Sequence, residues 1–369
     1  MTKMQELAEL DQSVWYDYIR RDFLNSGALE TLINQGLRGL TSNPAIFEKA
    51  IAHSTDYDQA IQNLVRENRS VQEIYESLVL EDIARAADIF QPVYTQTGGQ
   101  DGYVSLEVSP HLAQDTENTV AEAKRLFTQL KRPNLMIKVP ATSAGLPAIT
   151  ELIGSGINVN VTLLFSVTRY QEVARAYLQG LEKLLAQGPS VPGGHNLDGV
   201  ASVASFFVSR VDKAVDQELH DMGRQDLAGR AAVANAKRAY RTFMAMYQGS
   251  EWDDLRKHGA GRQRLLWAST GTKNPDYPDT MYIDQLIGPK TVNTIPPDTL
   301  KSFLEHGTVQ KTLTQGMDEA EKHLQQLAEL GIDLEKTADK LLNDGILAFD
   351  QPYDALLAAI EQKRDQFSS

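Results

Sequence analysis

The amino-acid sequence predicts an α/β protein: a closed (β/α)8 barrel of the TIM type, with additional helices between strands 2 and 3 and at the carboxyl end of the chain. Eight short apolar or alternating segments have the length of buried strands, and segments with helical periodicity lie between most of them. Alternation of strand and helix favours parallel strands joined by right-handed crossovers. Eight such repeats favour closure into a barrel over an open sheet.

The predicted strands follow one another along the whole chain. They are 13–17 (SVWYD), 37–42 (LRGLTS), 103–108 (YVSLEV), 135–140 (LMIKVP), 157–165 (INVNVTLLF), 201–209 (ASVASFFVS), 264–270 (RLLWAST) and 291–295 (TVNTI).

Two of the intervening segments carry the clearest helix signals. In Thr116–Leu130, spacings of three and four place four apolar residues on one face: Val120, Ala123, Phe127 and Leu130. Ser166 is a typical amino-terminal cap for the next long helical segment, and Gly188 is expected to end it.

Two regions exceed what a simple barrel needs. Residues 44–100 are too long for one connection and are expected to form a helical insertion, and residues 312–369 are expected to form a helical tail. Within the tail, residues 331–349 have the pattern of a helix hairpin packed on the barrel. Because no change in composition, solenoid repeat or low-complexity tract marks a linker, we expect residues 1–369 to form a single domain.

Composition excludes several classes of function. The net charge of -13 argues against a nucleic-acid-binding groove, so an anionic substrate must be met by a few local cations. The chain has no cysteine, and its histidines show neither HExxH nor HxH spacing, so no metal site is expected. Neither a signal peptide nor a run of 18 apolar residues is recognisable, and a cytoplasmic location without membrane contact is expected.

Polar side chains recur where the predicted strands end. In a (β/α)8 barrel the carboxyl ends of the strands meet at one mouth, where functional residues gather. In chain order these residues are Asp17, Thr41, Asn43, Ser105, Glu107, Lys138, Asn160, Thr162, Ser205, Arg210, Ser269 and Lys273. Taken singly, several have a structural alternative: Asp17 and Asn43 could cap helices, and Glu107 could be a solvated loop residue.

Lys138 is the most informative of them, because it lies within an apolar strand. A buried ammonium group must be paired, lose its charge or extend to solvent, and the last is the common outcome. A lysine that is uncharged part of the time is a nucleophile, and its imine with a ketone can accept the electron pair released when the neighbouring carbon-carbon bond breaks. Asp17 and Glu107, in different surroundings, could then divide the acid and base steps.

At this point the residues resemble those of the transaldolase family over about residues 11–300. The matching segments are VWYD (14–17), TSNP (41–44), SLEV (105–108), IKVPAT (137–142), INVNVTLLFS (157–166), SFFVSR (205–210) and WAST (267–270). The segment ASTGTKN (268–274) resembles a longer-chain branch of that family. Gly271 stands where the family typically has a second phosphate-binding arginine, and Lys273 is the obvious substitute cation.

The resemblance implies an enzyme of the non-oxidative pentose phosphate pathway that moves a dihydroxyacetone unit between sugar phosphates without a cofactor, as a monomer or homodimer. It implies that Lys138 forms the Schiff base, Asp17 is the acid/base for cleavage, and Glu107 acts through a water held by Thr162. It further implies that the three-carbon unit is bound by Thr41, Asn43, Ser105, Asn160 and Ser205, with Phe207 as an apolar wall, and that Arg210 and Ser269 hold the phosphate.

Two other functions compete with this interpretation. A fructose 6-phosphate aldolase of the same superfamily would release free dihydroxyacetone, but that group resembles short chains with glutamine at the position of Glu107 and tyrosine at that of Phe207. A non-catalytic sugar-phosphate-binding barrel would not need Lys138, Asp17 and Glu107 together. Glu107 and Phe207 therefore favour the transferase over the aldolase, and the presence of the three ionisable residues together favours it over a binding barrel.

Overall fold

A closed barrel of eight parallel strands forms the centre of the computed structural model, which describes residues 1–188 and 196–368. The strands are β1 (Gln12–Asp17), β2 (Gly39–Thr41), β3 (Tyr103–Glu107), β4 (Leu135–Pro140), β5 (Val159–Leu164), β6 (Ser202–Phe207), β7 (Arg264–Ala268) and β8 (Thr291–Ile295). Each pairs with its neighbour in sequence, and β8 pairs with β1. The predicted fold class is confirmed.

The strands read as apolar runs because both of their faces are covered. Every residue of β4, β5 and β6 is buried, one face against the outer helices and the other inside the barrel. Several predicted strands were too long at their ends: β2 has only three residues, and Ser209 begins a helix instead of ending β6.

Sixteen α-helices surround and extend the barrel in the described part of the chain. They are α1 (Lys3–Glu9), α2 (Arg21–Asn25), α3 (Ala28–Asn34), α4 (Pro44–Ala52), α5 (Asp58–Arg66), α6 (Val71–Gln96), α7 (Thr116–Leu130), α8 (Gly145–Ile153), α9 (Val167–Ala186), α10 (Ser209–Asp221), α11 (Ala231–Met246), α12 (Ser250–Lys257), α13 (Met281–Asp284), α14 (Pro297–His306), α15 (Met317–Glu329) and α16 (Leu334–Ser368). Helices α4 to α6 occupy the predicted insertion between β2 and β3, and α15 and α16 occupy the predicted tail.

The two helices with clear sequence signals form with small differences. Ser166 caps α9 as predicted, since its hydroxyl accepts a hydrogen bond from the Arg169 amide at 3.0 Å. Helix α7 has the predicted bounds, but its buried face consists of Thr119, Ala123, Leu126 and Leu130. Val120 and Phe127 are only half-buried, so the observed buried face is rotated around the helix axis relative to the predicted one.

The prediction of a hairpin within residues 331–349 was wrong. Gly331, with φ of +85°, belongs to the turn after α15, and α16 then runs without interruption from Leu334 to Ser368. Gly345 lies inside this helix. A β-carbon there would come within 2.8 Å of Leu163, so the glycine permits close packing against β5 and does not mark a turn.

A buried polar cluster holds the amino-terminal end of the barrel together. Asp101, in the loop before β3, accepts hydrogen bonds from Ser13 at 2.7 Å and Trp15 at 3.3 Å, and it pairs with Arg264 at 2.9 Å. Because Ser13 and Trp15 lie on β1 and Arg264 opens β7, this cluster links three parts of the wall opposite the mouth.

Within residues 1–188 and 196–368, no helix combines the length and apolarity that crossing a bilayer requires.

Candidate active site

A cavity of about 200 Å³ opens at the carboxyl ends of the strands. This is the volume of roughly seven water molecules, which suits a small ligand. Its walls come from the ends of β1, β2, β4 to β8, the residues after them, and one residue of α16. The lining residues are Asp17, Thr41, Asn43, Lys138, Thr162, Ser205, Phe207, Arg210, Ala268, Ser269, Lys273, Thr294, Pro296 and Phe349. All of the residues that the sequence suggested, except Ser105, Glu107 and Asn160, therefore line one cavity.

Strand register brings the ionisable residues of this site together. Asp17 is the register partner of Thr41 across β1 and β2, and Glu107 is the register partner of Lys138 across β3 and β4. Neighbouring parallel strands lie about 4.8 Å apart. Residues far apart in sequence thus become neighbours at the same height in the barrel.

Lys138 is buried by pairing and does not extend to solvent. Its side chain is 6% exposed, and its Nζ donates a hydrogen bond to the Ser42 carbonyl at 3.0 Å. The same nitrogen lies 3.3 Å from Glu107 Oε2 and 5.7 Å from the centre of the Phe349 ring. The amine is thus held in place at the cavity wall, with a carboxylate beside it.

Asp17 lies in the same cavity with a defined hydrogen-bond partner. The Thr41 hydroxyl donates to Asp17 Oδ1 at 2.7 Å, and Thr294 contacts the Thr41 hydroxyl at 2.6 Å. Burial raises the pKa of Asp17 above its usual range; the charge of Lys138, the Thr41 hydrogen bond and the charge of Lys273 act in the opposite direction. The carboxyl is therefore poised to exchange a proton nearer to neutral pH than an exposed aspartate.

Glu107 is the second carboxyl group beside Lys138. Burial raises its pKa, Lys138 lowers it, and the charge of Asp17 raises it further. One buried oxygen of this region, Thr162 Oγ1, makes no hydrogen bond to any atom of the described residues, whereas Glu107 Oε2 has the Lys138 amine 3.3 Å away as its partner. Buried polar atoms usually have partners, so the Thr162 hydroxyl is available to a ligand or a water molecule.

A row of polar groups lies beneath the cavity floor. The Asn160 side-chain amide donates to Ser105 Oγ at 3.0 Å, and the Ser205 hydroxyl donates to Asn160 Oδ1 at 2.7 Å. Ser105 and Asn160 are fully buried and are not among the lining residues, whereas Ser205 is. The row fixes the orientation of the Ser205 hydroxyl, whose oxygen remains able to accept from a ligand.

The cationic side of the cavity is formed by Arg210 and Lys273. The Arg210 guanidinium lies 5.3 Å from the centre of the Phe207 ring, and burial lowers its pKa. Within the part of the chain that is described, no carboxylate pairs with Arg210. Ser269, which lines the cavity beside it, has an unusual φ of +56° and its hydroxyl lies 2.9 Å from that of Ser209. A partly desolvated cation without a carboxylate partner is a typical site for a phosphate.

Four lining residues were not suggested by the sequence: Ala268, Thr294, Pro296 and Phe349. Thr294 and Pro296 lie at the end of β8, so the rule that identified the other strand ends could have found them. Phe349 comes from the tail helix α16, and no local pattern relates it to the barrel mouth.

Residues 1–188 and 196–368 contain no group of three or more histidine or carboxylate side chains placed to hold a metal ion.

Comparison with known proteins gives a consistent result. The model of the transaldolase/fructose-6-phosphate aldolase family matches residues 14–360. The chain is 45% identical to a transaldolase of Trichodesmium erythraeum, over 97% of this chain and 96% of that one. It is 45% identical to a transaldolase of Neisseria gonorrhoeae and 46% identical to one of Thiobacillus denitrificans, in both cases over 98% of this chain and the full length of the relative.

Proposed function

The chain belongs to the transaldolase/fructose-6-phosphate aldolase family and is a transaldolase, and from this premise we propose which of its residues perform the reaction. The reaction transfers a dihydroxyacetone unit from a ketose phosphate, such as sedoheptulose 7-phosphate or fructose 6-phosphate, to an aldose phosphate. The acceptor is glyceraldehyde 3-phosphate or erythrose 4-phosphate. In this proposal Lys138 is the nucleophile, and Asp17 and Glu107 handle the protons.

One observation carries the proposal: a buried lysine amine lies in the wall of a cavity with a carboxyl group 3.3 Å away and a second carboxyl group lining the same cavity. Binding a sugar phosphate would not require burial of these three ionisable groups together, because burying them costs free energy. Schiff-base chemistry does require an amine, an acid and a base within reach of one another.

The first half of the reaction forms the imine. The Lys138 amine, as its neutral form, attacks C2 of the ketose and gives a carbinolamine, and Glu107 donates the proton with which the C2 oxygen leaves as water. The Thr162 hydroxyl, which has no partner among the described residues, is available to position a water molecule through which Glu107 transfers the proton. The positive imine nitrogen then replaces the ammonium as the partner of the Glu107 carboxylate.

The second half breaks and remakes a carbon-carbon bond. Asp17 removes the proton of the C4 hydroxyl, the C3–C4 bond breaks, and its electron pair moves into the imine to give an enamine while the aldose phosphate departs. The enamine stays bound to Lys138 until an acceptor aldehyde arrives. Its C3 then attacks the aldehyde, and Asp17 returns the proton to the new hydroxyl. Water adds to C2 of the resulting imine, and the carbon-nitrogen bond breaks to release the new ketose phosphate and the Lys138 amine.

We propose that the substrate phosphate binds on the side of Arg210, Ser269 and Lys273. Arg210 offers a planar pair of donors and has no carboxylate partner in the described residues. The Ser269 hydroxyl is oriented by Ser209, and Lys273 adds a second positive charge. Asn43, Thr41 and Ser205 lie across the cavity, where they can bind hydroxyls of the sugar.

Trapping with borohydride tests the nucleophile. Incubation with fructose 6-phosphate followed by reduction is expected to add a dihydroxyacetone or hexose phosphate unit to Lys138, identified by peptide mass spectrometry. Lys138→Ala and the charge-preserving Lys138→Arg are expected to lose both adduct and turnover. Asp17→Asn is expected to keep the adduct but slow transfer by at least roughly 100-fold. If Lys138→Arg still gave an adduct, another residue would be the nucleophile.

An acceptor assay separates the transferase from the related aldolase. Transfer from fructose 6-phosphate to erythrose 4-phosphate is expected to exceed release of free dihydroxyacetone, because Glu107 and Phe207 stand at the positions that distinguish the two groups in sequence. Faster release than transfer would favour the aldolase.

We further propose a single cooperative domain, present as a monomer or homodimer in the cytoplasm. The insertion and the tail are joined directly, since Lys363 of α16 contacts the Ser54 carbonyl at 2.7 Å and the Asp58 carboxylate at 2.6 Å. Sugar phosphates are charged and cross bilayers poorly, which supports a location where they are made. Light scattering and a single thermal transition are the corresponding tests.

A further inference from the structure

The tail helix α16 lies across the mouth of the barrel. Near its beginning Glu335 accepts a hydrogen bond from Thr168, which follows β5, at 3.1 Å. Near its end Lys363 contacts Asp58 in the insertion between β2 and β3. Between these two ends Gly345 lies against Leu163 of β5 and Phe349 lines the cavity, so the middle of the helix lies over the strand ends.

The middle of α16 presents two buried residues to the barrel, Gly345 and Phe349, one helical turn apart. At Gly345 the helix approaches the barrel so closely that a β-carbon would lie 2.8 Å from a methyl carbon of Leu163 and 3.5 Å from the Arg210 guanidinium. Phe349 is then placed in the cavity wall with its ring centre 5.7 Å from Lys138 Nζ. The ring is 6% exposed.

The next turn anchors the helix on the other side of the ring. Tyr353 packs edge-on against Tyr75 of α6, with ring centres 5.3 Å apart, and its hydroxyl accepts a hydrogen bond from Gln72 at 3.1 Å. Phe349 is thus held between a close contact with β5 and an aromatic contact with the insertion. Its position is fixed by the fold and does not depend on a mobile loop.

We propose that Phe349 determines whether the bound dihydroxyacetone unit is transferred or released, by keeping proton-donating water away from C3 of the Lys138 enamine. This inference rests on the proposed Schiff-base function of Lys138. Release requires that the enamine carbon take up a proton to give the iminium, that water add to C2, and that the carbon-nitrogen bond then break to give dihydroxyacetone and the free amine. Of these steps only the protonation of C3 distinguishes release from transfer, because the transferred product also leaves Lys138 by addition of water to C2. An apolar ring beside the amine offers no hydrogen bond to a water molecule that could protonate C3.

Substitution at Phe349 tests the inference. Phe349→Ala is expected to raise the ratio of dihydroxyacetone release to transfer by roughly tenfold or more. Phe349→Leu keeps an apolar side chain of similar reach and should stay near the parent ratio, with Phe349→Val between the two. The ratio is measured from fructose 6-phosphate alone and with erythrose 4-phosphate present.

The control is Leu347→Ala on the same helix. Leu347 is 57% exposed, and its substitution is expected to leave both rates unchanged. Circular dichroism and melting temperature establish that each variant is folded, and Phe349→Val replaces Phe349→Ala if the latter is not.

Borohydride trapping of every variant separates the possible failures. If the parent gives no adduct on Lys138, the proposed function fails and this inference fails with it. If the parent and the Phe349 variants give the adduct but release and transfer change in proportion, the inference alone is overturned. An adduct in all variants together with a graded rise in release in the order Leu, Val, Ala supports it.

Discussion

The hydrogen bond between Thr41 and Asp17 offers a direct test of how the site sets its pH dependence. The Thr41 hydroxyl donates to Asp17 Oδ1 at 2.7 Å, and this bond favours the ionised carboxylate. Thr41→Val removes the donor while keeping the shape of the side chain. Because the bond lowers the pKa of Asp17, its loss must raise that pKa, and a base that must be ionised will then become active only at higher pH.

The size of the effect follows from the strength of the bond. A hydrogen bond to a charged group contributes about 1.5–3 kcal/mol, and about 1.4 kcal/mol corresponds to a tenfold change in a proton equilibrium. In Thr41→Val the acid limb of the kcat/KM profile is therefore expected to shift to higher pH by about one to two units. The profile is measured with fructose 6-phosphate and erythrose 4-phosphate between pH 5 and 9.

Two variants serve as controls for this prediction. Thr41→Ser retains the hydroxyl and should keep the parent profile. Thr294→Val removes the hydroxyl 2.6 Å from Thr41 without removing the bond to Asp17, so a smaller movement is expected. An acid limb that stays in place in Thr41→Val would refute the assignment of Asp17 as the titrating base.

Two further predictions concern the phosphate site and the barrel wall. Arg210→Leu is expected to raise KM for fructose 6-phosphate roughly 10–100-fold while the slow turnover of unphosphorylated fructose stays the same; parallel changes for both sugars would argue against a phosphate contact. Gly39→Ala places a β-carbon 2.6 Å from the buried Trp15 ring and should lower the free energy of unfolding in urea by about 1–3 kcal/mol. Gly261→Ala, which meets nothing within 4 Å, is the control, and equal stability of the two variants would contradict this packing argument.

The positions of all eight strands could be predicted because parallel strands covered on both faces are apolar almost throughout. What could not be predicted is local geometry that no residue type announces. In β5 the pairing register shifts between Val161 and Leu164, and Leu163 takes a φ of +61°, which leucine rarely adopts. The residue type leucine does not predict such a conformation. Its cost in free energy is offset by the packing of the closed barrel around it.

The wrong prediction of a hairpin within residues 331–349 has a physical reason. Two glycines, Gly331 and Gly345, lie in that segment. Gly331 does take a positive φ, whereas Gly345 is helical and is required by its contact with Leu163, which lies 182 positions earlier in the chain. A close approach between distant segments leaves no local signal, and the same holds for Phe349 in the cavity wall.

Strand-end residues of the site were predictable because topology brings all carboxyl ends of a barrel to one mouth. The strand pattern does not show how far below the cavity each side chain lies, and only the structure shows this. Ser105 and Asn160 alternate correctly along their strands but lie one layer below the cavity, where they orient Ser205. Ser105 and Asn160 would therefore affect substrate binding only by orienting Ser205. Asn160→Ala is expected to leave the Ser205 hydroxyl without this orientation.

The different surroundings of the two carboxyl groups explain how they can take different roles beside one amine. Burial raises the pKa of both, and Lys138 lowers both. The Thr41 hydroxyl and the charge of Lys273 also favour the ionised form of Asp17. A hydrogen bond from Lys138 likewise favours the ionised form of Glu107, and the negative charge of Asp17 holds the pKa of Glu107 up. The protonation of each group thus depends on different neighbours, so imine formation, which needs an acid, and cleavage, which needs a base, can be divided between them.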